Sequence, residues 1–190
     1  HFLSSAGSNV YKRQRLNPTL AIYRLERYNI RYRPDSINNP YEWRVRGKER
    51  SQGVELGAIG QLMPDWYLRG SAGWMSAKIV EVNSDPAAVG RQLSNTAHFN
   101  GNVFVRYAPG EKFYGEIGLT RVGERFYYNG NTNIGQTLPG FTRVDMMAGY
   151  IHKHWSGTLA VSNLFNKQYW RSSSMPGEPR AFTARLSYRF

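Results

Sequence analysis

The chain has 190 residues, no cysteine, 19 glycines, 13 tyrosines, 9 phenylalanines and 5 tryptophans, and a formal net charge of +12. The lack of cysteine excludes a disulfide scaffold and thiolate metal sites, and no uncharged apolar run nears the roughly 20 residues of a transmembrane helix. Mean hydropathy is −0.57, a value that transmembrane β-strands also give because only alternate residues face lipid. The positive charge admits three partners: nucleic acid, an anionic lipid surface or an anionic ligand.

Residues 1–14 fit the downstream pattern poorly and are set apart. A first strand is predicted over 19–30, with Ala21, Tyr23 and Leu25 on one face. A second covers 50–62, where Val54, Leu56, Ala58, Gly60 and Leu62 alternate with Glu55, Gly57, Ile59 and Gln61. After a tight Met63-Pro64-Asp65 turn, a third covers 66–82, with Trp66, Leu68, Gly70, Ala72 and Trp74 on one face. The fourth, 97–107, sets Phe99, Val103, Val105 and Tyr107 against His98, Asn100, Asn102 and Arg106. Pro109-Gly110 marks a tight turn into a fifth strand, 113–127. A sixth covers 141–151, a turn at 152–154 leads to a seventh, 155–165, and the last covers 181–190.

That last strand alternates without a slip. Phe182, Ala184, Leu186, Tyr188 and Phe190 fall on one face; Thr183, Arg185, Ser187 and Arg189 fall on the other, because successive strand residues point to opposite sides. Connections alternate too: short at 63–65, 108–112 and 152–154, long at 31–49, 81–96, 128–140 and 166–179. Tight turns on one rim and long loops on the other are the mark of an outer-membrane barrel. The apolar faces carry no charge where a mid-bilayer Arg or Lys would cost about 2–4 kcal/mol. The opposite face carries Arg69, Arg106, Glu116, Arg143, Asp145 and Arg185 as lumen charge. The expected fold is therefore all-β: an antiparallel transmembrane β-barrel segment of about eight strands.

Six ordered segments carry a family resemblance: Leu16-Asn-Pro-Thr-Leu-Ala-Ile-Tyr-Arg24, Arg50-Ser-Gln-Gly-Val-Glu-Leu56, Pro64-Asp-Trp-Tyr-Leu68, Leu138-Pro-Gly-Phe-Thr-Arg-Val-Asp145, Asn163-Leu-Phe-Asn-Lys-Gln-Tyr169 and Gly177-Glu-Pro-Arg180 before the terminal strand. Together they make residues 15–190 resemble the C-terminal barrel portion of TonB-dependent outer-membrane siderophore receptors. The resemblance implies a slice of a barrel of about 22 strands, with the plug domain and roughly fourteen strands outside this chain. It implies bacterial outer-membrane localisation and TonB-dependent uptake of a ferric siderophore, with TonB acting through the plug. This chain would then supply wall, lumen charge and long loops. Short turns are expected on the periplasmic side.

Loop candidates for ligand contact are Tyr41, Trp43, Arg44, Tyr127, Tyr128, Tyr169, Trp170 and Arg171, with Arg125 nearby. Rings supply stacking area and Arg supplies charge-assisted hydrogen bonds to an anionic chelate; girdle or loop packing is the plainer role for each. Phe182, Leu186, Tyr188 and Phe190 resemble the signal read by the barrel-assembly machinery, through strand addition. Arg27, Lys48, Arg50 and Arg121 fall on the lipid-facing parity near the long-loop rim. There they either pair with lipopolysaccharide phosphates or snorkel into water without a specific partner. His98 and Asp145 are expected in the lumen, and His152 and His154 in a solvated turn. No metal site, catalytic cluster or cofactor is expected. Nucleic acid is disfavoured because the basic residues are not gathered on one groove-facing element. Two rivals remain: a complete eight-stranded outer-membrane barrel with a structural or adhesion role, and an outer-membrane enzyme, which would need a polar catalytic cluster at one rim.

Overall fold

The computed structural model describes residues 16–33, 38–82, 86–129 and 134–190; the stretch 1–14 lies outside the described residues. The described strands are β1 (Leu16–Tyr32), β2 (Arg44–Met63), β3 (Trp66–Glu81), β4 (Thr96–Ala97), β5 (Phe99–Tyr107), β6 (Phe113–Val122), β7 (Arg125–Asn129), β8 (Ile134–Leu138), β9 (Phe141–His152), β10 (Trp155–Ser162) and β11 (Ala181–Tyr188). Eight of them form one sheet in the order β1-β2-β3-β5-β6-β9-β10-β11, and β4-β7-β8 form a second. Both sheets are antiparallel throughout. β1 and β11 are the two edges of the large sheet, and no ladder joins them among the described residues.

The three short turns fall where the sequence places them. Each contains one residue at positive φ: Asp65 (66°), Gly110 (69°) and Lys153 (47°). That left-handed step lets a chain reverse within a few residues. Lateral bonds tie the turns to their neighbours. Ala108 N–H donates to Asp65 O, Ile151 N–H to Lys112 O and Arg189 N–H to His154 O, so all three sit on one rim.

Register sorts the side chains. Trp66, Leu68 and Trp74 lie opposite Tyr107, Val105 and Phe99; Val105 and Val103 lie opposite Ile117 and Leu119; these meet Met146 and Val144. One apolar face therefore runs across the sheet, open to the surroundings: Ile22 is 76% exposed and Phe182 74%. At its short-turn edge sit ring pairs, Trp66–Tyr107, Phe113–Tyr150 and Trp155–Tyr188, with centroids 4.7, 4.5 and 4.6 Å apart. A barrel wall facing lipid has this arrangement, with aromatic girdles bounding an apolar band.

Four expectations change. In β1, register with β2 sets Leu20 and Ile22 opposite Leu56 and Val54, so the apolar outward face is Leu20 and Ile22, while Ala21, Tyr23 and Leu25 face inward. The predicted strand 113–127 breaks after Val122. Beyond Phe99 the neighbouring β5 has no further residues to pair with, and the chain from Arg125 joins β8 instead. β7 thus begins within the predicted strand, and β8 lies in the segment read as the loop 128–140. Ala97 leaves β5 for β7, and the seventh strand ends at Ser162 rather than residue 165.

The buried apolar residues gather at the long-loop rim. Ile79, Val82 and Ala88 form one cluster with Leu93 packed on it. It exists because the chain after β3 folds back along its upper edge, with Gly90 N–H donating to Ile79 O and Leu93 N–H to Ala77 O.

Candidate functional site

The last long loop is built on a single side chain. Asn163 adopts φ 51°, a left-handed conformation that Asn tolerates better than most residues, and this ends β10. It is 1% exposed. Its amide group donates to the carbonyls of Lys167 and Glu178, both at 2.9 Å, and its Oδ1 accepts the Lys167 N–H at 2.8 Å. Its own N–H donates to Asp145 Oδ1 at 2.8 Å. Asn166 Oδ1 then accepts the Arg180 N–H. The loop is thus folded on itself and fastened to β9.

A second fastening comes from β7. Arg125 is buried, and its guanidinium donates to the carbonyls of Trp170 and Arg171 and to Asn95 Oδ1. Tyr169 stacks on Phe141 with centroids 4.1 Å apart, and Arg143 donates to its hydroxyl. Arg143 also pairs with Asp145 at 3.0 Å. A hollow of about 660 Å³ opens beside this loop, among Pro139, Lys167, Tyr169, Trp170 and Glu178. Two aromatic residues and Lys167 line one mouth beside Glu178, whose carboxylate is paired with Arg171 at 3.4 Å, and rings with a cation can hold an anionic, ring-bearing molecule.

Of the sequence candidates, Tyr169, Trp170 and Arg171 share this loop with Arg125 and Arg143. Tyr41, Trp43 and Arg44 form a separate group before and at the start of β2. There Arg44 pairs with Glu42 at 2.6 Å and the Arg33 guanidinium lies 4.4 Å from the Trp43 ring. Tyr127 sits in β7 opposite Gln136. Tyr128 pairs through its main chain with Gly135, and its side chain lies outside the described residues. Sequence reasoning missed Asn163 and Phe141 as organisers. The signal was present in the first residue of the Asn-Leu-Phe-Asn run, a polar residue closing an apolar strand.

The lumen candidates share the inward face. Arg106 lies opposite Glu116, Gly118 opposite Asp145, Thr120 opposite Arg143 and Thr158 opposite Arg185. Arg69 reaches Glu116 at 2.7 Å and lies over the Phe104 ring; Arg106 lies over the Tyr114 ring.

The outward cations need one correction. Lys48 and Arg50 fall opposite Tyr28 and Glu26 on the outward face, and Arg121 opposite Thr142. Arg27, opposite Glu49, faces inward with Leu25, because β1 register follows Leu20 and Ile22. His98 extends the β3–β5 pairing by one step, its carbonyl accepting the Met75 N–H. It sits in the break between β4 and β5 and lines a hollow with Arg24, Gln52 and Trp74. No group of three or more metal-ligating side chains occurs among the described residues.

Comparison with known proteins places this arrangement. The family model described as TonB dependent receptor-like, beta-barrel matches residues 5–164. An uncharacterized TonB-dependent receptor of Haemophilus influenzae is 28% identical over 172 residues, covering 86% of this chain and 50% of that protein. The metal-pseudopaline receptor CntO of Pseudomonas aeruginosa is 29% identical over 186 residues, covering 93% of this chain and 25% of that protein. The crystal structure of the siderophore receptor PiuA from Acinetobacter baumannii superposes with a TM-score of 0.77 at 20% identity, covering 94% of this chain and 26% of that one. The chain thus spans between a quarter and a half of these proteins.

Proposed function

The chain belongs to the TonB-dependent receptor β-barrel family of the outer membrane, and on that premise we propose that it is the C-terminal wall of a receptor taking up a ferric siderophore. The long-loop rim faces outside. The remaining strands and a plug, on which TonB pulls from the periplasm, come from the rest of the receptor, and β11 is the strand read by the assembly machinery. The single observation that carries the ligand reading is the pinned loop, which holds Tyr169, Trp170 and Arg171 together at the mouth through Asn163 and Arg125. Relatives named as receptors for a metal–pseudopaline complex and for a siderophore support the same class of cargo. The family is one of transport receptors, and the roles given to individual residues are those of binding and lining. A closed eight-stranded barrel would need a ladder between β1 and β11, which the described residues lack.

The test is uptake by the full-length receptor in a host stripped of its own siderophore receptors. A panel of iron-loaded catecholate, hydroxamate and mixed siderophores is offered, with haem, cobalamin and a maltodextrin beside them. Uptake of at least one ferric siderophore, lost without TonB and weakened by Trp170→Ala, supports the reading. Uptake of only haem, cobalamin or sugar, or uptake that persists without TonB, overturns it.

A further inference from the structure

On the inward face two arginines lie over rings, and glycines make this possible. Register sets Phe104 opposite Gly118 and Tyr114 opposite Gly149, and a Cβ at either glycine would run into the facing ring. Each ring therefore rests on bare backbone. Arg69 covers Phe104, its Cζ 3.9 Å from the ring centroid, and Arg106 covers Tyr114 at 4.0 Å. The Tyr114 hydroxyl is fixed by a bond of 2.9 Å with Thr158 Oγ1. Two stacks of backbone, ring and guanidinium thus stand on one wall. A hollow of about 430 Å³ opens beside them, among Ile59, Tyr67, Arg69, Phe104, Arg106 and Glu116.

The charges around this hollow do not cancel. Arg69 pairs with Glu116 at 2.7 Å. Arg106 lies opposite the same glutamate in register but has no ion-pair partner among the described residues. A cation already laid on a ring has given up much of its rotamer freedom, so an anion that meets it loses less on binding. Tyr67 and Ile59, 43% and 61% exposed, add uncovered apolar area. Height separates this place from the pinned loop. Arg143, which donates to Tyr169, lies opposite Thr120, whereas Arg106 lies opposite Glu116, four positions nearer the short-turn rim on β6. At about 3.3 Å per residue and a tilt near 40°, that is about 10 Å. The wall therefore offers arginine and ring at two heights.

We infer that this hollow is a second, inner binding site for an anionic ferric chelate, filled after the chelate leaves the loop and before it passes the short-turn rim. Arg106 takes its carboxylate or catecholate oxygens, and Tyr67 and Ile59 cover its rings. The site deepens the uptake reading and rests on it.

The experiment uses the full-length receptor in a host stripped of its own siderophore receptors. Two anionic probes are offered, an iron-loaded tris-catecholate and an iron-loaded carboxylate–hydroxamate siderophore, with a neutral iron-loaded tris-hydroxamate beside them. In Arg69→Gln with Arg106→Gln, binding of an anionic probe to de-energised cells should stay within about twofold of wild type, while its saturated TonB-dependent uptake rate falls roughly tenfold. Arg69→Lys with Arg106→Lys keeps the charge without the flat stack and should fall in between. Heat-modifiable migration checks that each variant is assembled. Unchanged uptake in the double Gln variant overturns the site, as does uptake of the neutral probe alone; both leave the uptake reading standing. A double Gln variant that also admits vancomycin shows that the two arginines hold the plug and not the cargo, and overturns it as well. Entry of none of the three probes into cells with the wild-type receptor overturns the uptake reading and the inner site together.

Discussion

Asn163 and Lys167 hold each other in both directions: the Asn163 amide group donates to the Lys167 carbonyl at 2.9 Å, and its Oδ1 accepts the Lys167 N–H at 2.8 Å. A short polar side chain thereby does the work of a strand partner at the point where β10 ends. The third bond, to the carbonyl of Glu178, brings the far end of the loop back to its start.

Replacing Asn163 should free the whole loop. In Asn163→Ala, three partly buried main-chain groups lose their partner, each bond contributing about 1 kcal/mol. Residue 163 would also sit in a left-handed conformation that Ala resists. Amide hydrogen exchange across 164–180 in the full-length receptor should speed up by at least two orders of magnitude, and Asn163→Asp, which still accepts from Lys167 N–H but cannot donate to the two carbonyls, should fall between Ala and wild type. Unchanged protection would mean that the loop is held by something other than this side chain.

Arg125 is the second tether, and its fork matters more than its charge. Nη1 donates to the Arg171 carbonyl and to Asn95 Oδ1, and Nη2 to the Trp170 carbonyl, a planar fork that a lysine ammonium cannot copy. Arg125→Lys should therefore weaken cargo binding nearly as much as Arg125→Gln, by roughly tenfold. Equilibrium binding to the purified receptor reads this directly, and a Lys variant indistinguishable from wild type would refute it.

The two faces should answer differently to the same substitution. Val103 lies mid-band between Gly70 and Leu119 on the apolar face, and Asn102 is next to it on the inward face, donating to Ser71. Val103→Arg should cost about 2–4 kcal/mol of stability in bilayers, whereas Asn102→Arg should cost less than about 1 kcal/mol. Reversible unfolding in phospholipid vesicles measures both; similar costs would mean that the faces have been assigned wrongly.

Tyr114 and Gly149 test packing inside the wall. A Cβ at Gly149 would come 2.2 Å from the Tyr114 ring, which crosses over it to bond Thr158 at 2.9 Å. Gly149→Val should block assembly of the β6–β9–β10 region, and adding Tyr114→Ala should restore it in part. Heat-modifiable mobility of the receptor on gels reports assembly; failure of the second substitution to help would show that the clash is with backbone instead.

Period-two alternation, tight turns and charge-free faces are local properties, because a strand's side chains alternate whatever its partners are. The sequence by itself therefore determined the all-β architecture, the short-long rhythm of connections and the outward set from Trp66 to Trp74. The shared inward face of Arg69, Arg106, Glu116 and Asp145 was legible for the same reason. Pairing register and loop return are not local. The face of Arg27 depended on which β1 residues meet Val54 and Leu56, and the fate of 123–138 depended on where β5 ends. Only the tertiary structure brought Arg125 to Trp170, Asn163 to Glu178 and Glu26 to Lys48, across separations that alternation does not encode.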